Sequence, residues 1–291
     1  SLNDAHREKV GPSMHDSEGY YALVHKQLTP KEWRQNDEAV KSVNKEWDQL
    51  DEIKTFDYKS VCSHASKCRD AERTGKTIHF GRVFALCHIK HSELAAKFWK
   101  YKGRVVFSGN DVRDENGVLA VFQDQGASAS SMTAGKLLDA LARTLGYSGE
   151  NADAFKAYTQ VLLADFEGET ETWVELPEDR WPDELFFDGA GRSRPRYHRP
   201  VVRLLRNLYG HPLAGLWWEK HCHNKILLCG FEKIQGWECL YRHPKRKAFL
   251  SVYVDDLKLA CPTAQLTEIW KDLMHHLKLD PPTAFHESTY L

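Results

Sequence analysis

The most constraining feature of this 291-residue sequence is the stretch 249–260, in which two adjacent aspartates separate two apolar runs. The runs are rich in Leu, Val, Phe and Tyr, so they predict a β-hairpin with Asp255 and Asp256 at its tip. Side chains alternate along a strand, and Val252 and Val254 are therefore expected on one face.

An Asp-Asp turn is common in ordinary sheets, but the two adjacent carboxylates repel each other. Aspartate tolerates the backbone angles of tight turns, so an ordinary structural turn accounts for the pattern. A hard cation such as Mg²⁺ also accounts for it, because Mg²⁺ takes carboxylate and phosphate oxygens and removes the repulsion. The stretch by itself leaves both interpretations open.

Length and composition set outer bounds on the protein class. Hydrophobic residues make up 42% and charged residues 28% of the chain, which suits one large or two modest packed domains. No apolar run reaches the roughly eighteen residues of a membrane span, so we expect no membrane partner. The seven cysteines are scattered and odd in number, which indicates a reducing compartment.

The charge balance bears on nucleic-acid binding. A formal net charge of −1 and a sequence pI of about 6.9 count against a protein that is basic overall. A local basic groove remains compatible with these values. The segment 179–200 contains several arginines and predicts either a solvated loop or a contact to a template backbone.

Two helices are predicted from apolar spacing. Residues 37–51 place Val40, Val43, Trp47 and Leu50 three and four positions apart, as in an amphipathic helix. A second helix is expected to be capped within the segment 130–133 and to run to Leu145. Its buried stripe is predicted to consist of Leu137, Leu138, Leu141 and Leu145.

Residues 79–90 and 100–107 alternate well enough to predict two strands. In the second strand Lys100, Lys102 and Arg104 occupy alternate positions, so they share one face. A solvent-facing edge strand carries lysine in this way. A cationic strand aimed at a triphosphate has the same pattern, and both interpretations stay open.

Several blocks resemble, in the right order, the reverse transcriptase domain of copia-type retrotransposons. The string Tyr-Val-Asp-Asp at 253–256 is similar to the active-site hairpin of reverse transcriptases. The other similar blocks are Glu46–Leu50 with Thr55-Phe56, the Lys-x-Lys-x-Arg strand at 100–104, Asp153 with Ala157 and Tyr158, and the Leu-Tyr-Gly block at 208–210. That last block departs from the family pattern, because no clear counterpart of its Gln, Pro and Arg follows Gly210.

The resemblance implies residue roles that the sequence alone does not. Asp153, Asp255 and Asp256 would be the catalytic carboxylates and the metal ligands. Lys102 and Arg104 would grip the phosphates of the incoming nucleotide, and Tyr158 would be the steric gate against ribonucleotides. Without the family context, a lone Asp such as Asp153 at the end of a short strand is most often a helix cap.

The fold implied is α+β: a right-hand polymerase palm with a four-stranded antiparallel sheet and helices on one face, plus fingers, with the thumb largely absent. The implied domains are an N-terminal extension at 1–45, fingers at 46–128 and a palm at 129–291. A fingers or loop insertion is expected around 165–205.

The function implied is an RNA-directed DNA polymerase that uses two Mg²⁺ ions, with Mn²⁺ as a substitute. The expected partners are an RNA or DNA template with its primer, deoxynucleoside triphosphates and the remainder of a retrotransposon polyprotein. We expect the protein in the cytoplasm, in a virus-like particle of the element, or in the nucleus, and not secreted. Two alternatives remain open, a catalytically inactive relic that only binds nucleic acid and an unrelated Mg²⁺-dependent hydrolase.

Overall fold

The structure is a computed structural model that describes residues 25–122, 129–166, 168, 170–185 and 197–285. In chain order the strands and α-helices are β1 (Lys26–Leu28), α1 (Pro30–Arg34), α2 (Asp37–Glu52), β2 (Phe56–Ser63), α3 (His64–Thr74), β3 (Ile78–Lys90), β4 (Lys100–Phe107), α4 (Met132–Ala142), β5 (Tyr147–Asp153), β6 (Glu171–Glu175), β7 (Pro200–Leu204), α5 (Ala214–Leu228), β8 (Glu232–Lys233), β9 (Leu240–His243), β10 (Ala248–Tyr253), β11 (Asp256–Pro262), α6 (Leu266–His276) and β12 (Thr283–Ala284). Short 3-10 turns include Ala157–Gln160 and Glu178–Arg180.

The described residues fall into two compact units, each built on its own sheet. The first unit contains residues 129–160 and 215–285, and the second contains 25–122 and 161–214. Residues 25–45, which the sequence interpretation placed in an N-terminal extension, therefore belong to the second unit. So do the described residues of the segment 161–214, which includes the expected insertion.

The sheet of the second unit has the strand order β1-β3-β6-β7-β2, and β4 also pairs with β3. The predicted strands at 79–90 and 100–107 are confirmed as β3 and β4, which form an antiparallel hairpin. The predicted amphipathic helix is confirmed as α2, whose buried residues are Ala39, Val43, Trp47 and Leu50, whereas Val40 of the predicted set is only partly buried. A Cβ at Gly103 would lie 2.7 Å from the Ser42 carbonyl oxygen, so α2 packs on β4 at close range.

The start of the second unit has a signal that the periodicity search missed. Thr29 caps α1, its side chain accepts from the Glu32 N–H, and the Glu32 carboxylate accepts from the Thr29 N–H. Together with Pro30 in the first turn, this is a capping box that begins a helix of only five residues. A helix this short shows no apolar period, which is why its cap is the better indicator.

The sheet of the first unit has the order β12-β5-β11-β10-β9-β8, and neighbouring strands in it are antiparallel. The prediction of four strands is therefore wrong, because the two-residue strands β12 and β8 extend the sheet at its edges. Every residue of β11 from Asp256 to Cys261 is buried. Since alternate side chains face opposite sides, β11 is covered on both faces rather than on one.

Helix α4 begins within the predicted cap segment 130–133, where the Ser131 side chain accepts from the Ala134 N–H. It packs against β5, β10 and β11 through Ala134 and Leu138, which are both fully buried. The predicted leucine stripe is wrong in two places, since Leu137 is about half exposed and Leu145 is fully exposed. The helix ends at Ala142, so Leu145 lies beyond it, and Leu137 points away from the narrow face that holds Leu138.

None of the seven cysteines, all of which lie in the described ranges, forms a disulfide. Burial raises the pKa of Cys229 and Cys239 to about 11, so both side chains are neutral thiols at pH 7. Within the described residues, the helices are too short or too polar to cross a membrane.

Candidate active site

The acidic hairpin is formed by β10 and β11, and its tip differs from the prediction by one residue. The last pair of the ladder is Tyr253 opposite Asp256, which leaves Val254 and Asp255 as the two tip residues. Asp256 is thus the first residue of β11 and not part of the tip. A tip at Val254-Asp255 and a tip at Asp255-Asp256 place the same apolar side chains on the same face of the hairpin. Apolar alternation alone therefore could not choose between them.

The tip carries backbone strain at Val254, which has a φ of +55°. A two-residue hairpin turn needs positive φ in its first central position, and a β-branched residue adopts it at a cost of about 1–3 kcal/mol. The carbonyl oxygen of Val254 accepts a hydrogen bond of 2.5 Å from the indole N–H of Trp218, which is fully buried on α5. This contact holds the tip in the register that the structure shows.

Asp153 ends β5 and lies directly opposite Asp256 of β11. Residues opposite each other on antiparallel strands point to the same face, with Cβ atoms about 4.5–5.5 Å apart. The N–H of Ala154 also donates to the carbonyl oxygen of Asp255 at 2.6 Å. The backbone therefore brings all three predicted aspartates together where the neighbouring strands β5 and β11 meet the hairpin tip. We call this end of the two strands the acidic edge of the sheet.

The three aspartates differ in burial. Asp256 is 6% exposed, whereas Asp153 and Asp255 are partly exposed. A buried carboxylate beside two others is costly unless donors or a cation compensate the charge. Asp256 therefore stabilises the edge only with such compensation, while Asp153 and Asp255 remain accessible to a ligand.

The fit of this edge to Mg²⁺ is partial. The donors suit it, because Mg²⁺ binds carboxylate oxygens and keeps positions for phosphate oxygens. Across the described ranges, however, no three His, Cys, Asp or Glu side chains converge closely enough to hold a metal ion. The fit thus lies in donor type and backbone placement, and the side chains are not gathered around one point.

A buried polar row lies next to the acidic row, on the same face of the sheet. Lys258 lies two residues beyond Asp256, opposite Ser251 on one side and Asn151 on the other. The Lys258 side chain is only 3% exposed, and its Nζ lies 2.7 Å from Asp139 Oδ1 on α4. It also lies 4.5 Å from the centre of the Phe285 ring.

Sequence reasoning missed Lys258, although the sequence holds a signal for it. A lone lysine interrupts the apolar run 257–261, and a lysine is almost never fully buried unless it is paired. The pair with Asp139 is the partner that this burial requires, and it ties α4 to the acidic hairpin.

Tyr158 belongs to the same unit as the aspartates and lies in the 3-10 turn Ala157–Gln160, just after β5. The turn is anchored at Gln160, whose amide N–H donates to the carbonyl oxygens of Phe155 and Lys278, each at 2.9 Å. The N–H of Lys278 donates in return to Gln160 Oε1 at 3.0 Å. Tyr158 is partly buried, and its role as a steric gate stays a prediction.

Lys102 and Arg104 lie on β4, in the second unit. Lys102 is exposed and Arg104 partly exposed, while Gly103 and Val105 between and after them are buried. The shared face that alternation predicted is therefore present. The guanidinium of Arg104 lies 5.1 Å from the centre of the Tyr209 ring, a cation–π contact that fixes its direction.

The Leu-Tyr-Gly block at 208–210 packs against the end of β4. The Phe107 N–H donates to the Tyr209 carbonyl oxygen at 2.7 Å. Gly210 has a φ of +86°, and a Cβ there would lie 2.2 Å from the Phe107 carbonyl oxygen, so only glycine fits. His211 follows, and its burial lowers its pKa to about 3, so this ring is neutral at pH 7.

The basic loop is described only in part. Arg192, Arg194 and Arg196 lie outside the described residues. Arg199 is described, and its guanidinium lies 2.5 Å from Glu175 Oε1, so this member of the predicted template contact is already paired with a carboxylate.

Comparisons with known proteins add little to this site. No protein-family model matches the sequence, and no curated protein matches it. Among solved structures the chain is similar to telomerase from Candida albicans in complex with a TWJ fragment of telomeric RNA, at 10% identity and a TM-score of 0.38. The similarity covers 86% of this chain but only 46% of that one, so the chain spans about half of its length. A similarity at this TM-score carries no argument about function.

Proposed function

We propose that this chain is the RNA-directed DNA polymerase domain of a copia-type retrotransposon polyprotein. The observation that supports this most is the backbone pairing of Asp153 with Asp256, together with the hydrogen bond from Ala154 to Asp255. Residues from two distant parts of the sequence thereby share one edge of a sheet. A lone Asp-Asp turn without a function would not require an aspartate on the neighbouring strand.

The proposed reaction is nucleotidyl transfer. The 3′-hydroxyl of a primer attacks the α-phosphate of a deoxynucleoside triphosphate, a new P–O bond forms, and pyrophosphate leaves. Such phosphoryl transfer depends on placement and on charge neutralisation more than on covalent help from the protein. Bound Mg²⁺, or Mn²⁺ in its place, would supply charge stabilisation of the attacking and leaving oxygens.

Each residue has a role in this proposal. Asp153 and Asp255, the two accessible carboxylates, would hold the metal ions, and the buried Asp256 would assist them. Lys102 and Arg104 would bind the triphosphate, which suits an exposed lysine and an arginine whose direction is fixed by Tyr209. The ring of Tyr158 would exclude the 2′-hydroxyl of a ribonucleotide.

The partners in this proposal are an RNA or DNA template with its primer. Base pairing between template and incoming nucleotide would set the sequence of the product. The protein would therefore need few groups that read base edges, and most of its nucleic-acid affinity would come from phosphate contacts that weaken with salt.

Primer extension by the purified chain tests the proposal. With an annealed RNA template and DNA primer, Mg²⁺ and deoxynucleotides, we expect the wild-type chain to lengthen the primer. The Asp255→Asn variant keeps the size of the side chain but removes its charge. We expect extension to fall about a hundredfold or more, the scale seen when one charge-stabilising group is removed from an active site.

The matched control is Glu268→Gln, an acid-to-amide change on exposed α6 of the same unit. It should extend primers at the wild-type rate. Equal extension by Asp255→Asn and by the wild type would refute the assignment of the catalytic edge.

A second candidate is an inactive relic that binds nucleic acid without extending a primer. The specific observation in its favour is that no three ligand side chains converge within the described residues. This candidate predicts a mobility shift of labelled primer–template by the wild-type chain, no extension under any Mg²⁺ or Mn²⁺ concentration, and no change of the shift in Asp255→Asn.

A further inference from the structure

The second unit contains a cavity of about 490 Å³ that none of the roles above uses. It lies between α1, α2, β3 and the segment 175–180, and its lining includes neither Lys102 nor Arg104. Small-molecule sites usually have volumes of about 300–1,000 Å³, so a ligand of modest size fits here.

One part of the wall is apolar. It consists of Trp33, Trp47, Phe84, Leu176 and Pro177. Phe84 is 40% exposed although it lies in the middle of β3, where a large apolar side chain would normally be covered. An exposed aromatic ring in a concave wall is a surface on which a planar ligand can stack.

The cavity wall also carries charged side chains, and one of them has no ion-pair partner. The others each lie beside an opposite charge. These pairs are Arg82–Asp111 at 3.0 Å, Arg180–Asp179 at 3.5 Å and Arg199–Glu175 at 2.5 Å. Arg34 is different, because it has no ion pair within the part of the chain that the structure describes. Its guanidinium instead lies 5.0 Å from the centre of the Trp33 ring.

Trp33 fixes the position of this unpaired cation. It lines the cavity beside Arg34, is only 5% exposed, and carries the Arg34 guanidinium over its ring. A buried aromatic ring therefore holds an arginine without an ion pair at the wall of the cavity.

We propose that this cavity binds a nucleoside monophosphate. The phosphate would accept from Arg34, since the arginine guanidinium favours phosphate as a partner. The base would stack on Phe84 along the apolar wall, as bases do on aromatic side chains. The site shares no residue with the proposed polymerase site and does not depend on that proposal.

Equilibrium dialysis of the whole chain tests this site, with AMP, adenosine and inorganic phosphate as probes. EDTA is present throughout, so that no metal-dependent binding of nucleotides contributes. We expect saturable binding of AMP at one site per chain. Adenosine and phosphate each lack one half of the ligand, so their affinities should be lower than that of AMP by about tenfold or more.

Three variants assign the binding to the cavity. Arg34→Gln changes an exposed side chain, so the fold is retained, and it should weaken AMP about tenfold while leaving adenosine unchanged. Phe84→Leu removes the exposed ring on which the base would stack and should weaken both AMP and adenosine severalfold. The matched control is Lys31→Gln, an exposed cation of the same helix outside the cavity lining, which should bind AMP as the wild type does.

The polymerase proposal stays distinguishable in these measurements. Lys102→Gln should keep full AMP binding, and Arg34→Gln should keep any primer extension that the wild type shows. An absence of saturable AMP binding would overturn the proposed site. Equal AMP affinity of the wild type, Arg34→Gln and Lys31→Gln would overturn it as well, because the ligand would then lie elsewhere.

Discussion

The acidic hairpin β10–β11 and the basic hairpin β3–β4 carry most of the candidate functional residues, and they are built differently. The acidic hairpin closes with a two-residue tip, and all of β11 up to Cys261 is buried. The strands of the basic hairpin are joined by the segment 91–99, and Lys100 and Lys102 are exposed. The aspartates of the acidic hairpin are thus held in place by a buried strand, whereas most of the cations of the basic hairpin are exposed to solvent.

The difference follows from what each set of charges must do in the proposed reaction. Carboxylates that share metal ions need a fixed separation, which backbone register between β5 and β11 provides. Cations that meet a flexible triphosphate can adapt through their rotamers, so exposure costs them little. Burial has a cost on the acidic side, because each buried charge there needs a partner.

The largest effect that we predict concerns the buried pair beside the acidic hairpin. Asp139→Asn leaves the Lys258 ammonium buried without its carboxylate, and the free energy of unfolding should fall by about 2–3 kcal/mol. Lys258→Met removes the buried charge instead and leaves a partly exposed Asp139, so it should cost less. Urea unfolding measures both. Equal stability of Asp139→Asn and the wild type would show that this pair does not hold α4 to the hairpin.

Tyr158 gives the next largest expected effect. Tyr158→Val removes the ring that would collide with a ribose 2′-hydroxyl, so the preference for deoxynucleotides should fall about ten- to a hundredfold. Single-nucleotide extension with each sugar measures the ratio. Phe155→Val, at the exposed aromatic residue of the same segment, is the control and should leave the ratio unchanged. Unchanged selectivity in Tyr158→Val would remove Tyr158 from the gate role.

Lys102 tests whether the basic hairpin contacts phosphate. Lys102→Gln should raise the KM for deoxynucleotides about tenfold through the loss of one charged contact, with a smaller change in kcat. Lys100→Gln is the matched control, since Lys100 shares the same strand, face and exposure. If both variants raise the KM equally, Lys102 makes no specific contact with the phosphates, and the exposed face of β4 attracts the nucleotide only through its overall positive charge.

The smallest effect concerns His211, whose ring lies 4.8 Å from that of Phe107 at the end of the basic hairpin. Burial lowers its pKa to about 3 in the folded state, below the ordinary value of 6.5. As the pH falls below 6.5 the unfolded chain takes up the proton first, so stability is lost on acidification until about pH 3. Between about pH 7.5 and 5.5 this amounts to about 1.4 kcal/mol.

The His211→Phe variant isolates this contribution. It keeps a ring against Phe107 and cannot be protonated, so its stability should fall less over the same pH range. His275→Gln, at an exposed histidine of α6, should keep the wild-type slope. A wild-type slope in His211→Phe would assign the acid sensitivity to other groups.

Local patterns predicted much of the secondary structure. The helix α2 was expected at 37–51 and the hairpin strands at 79–90 and 100–107, and each lies within a residue or two of its predicted place. The predicted stripe on the second helix is wrong at Leu137 because apolar spacing does not tell how wide the covered face is, and at Leu145 because the helix already ends at Ala142. The tip of the acidic hairpin failed by one residue because two registers satisfy the same alternation.

The sequence by itself determined where strands and helices form, because alternation, apolar spacing and caps depend on residues two to four positions apart. The resemblance to copia-type enzymes added candidate residues from the same short blocks. Only the tertiary structure decided that Asp153 lies opposite Asp256, that Lys258 is buried against Asp139, and that Arg34 and Trp33 line one cavity. Those contacts join segments far apart in the chain, and their energies depend on which partners the packed fold brings together.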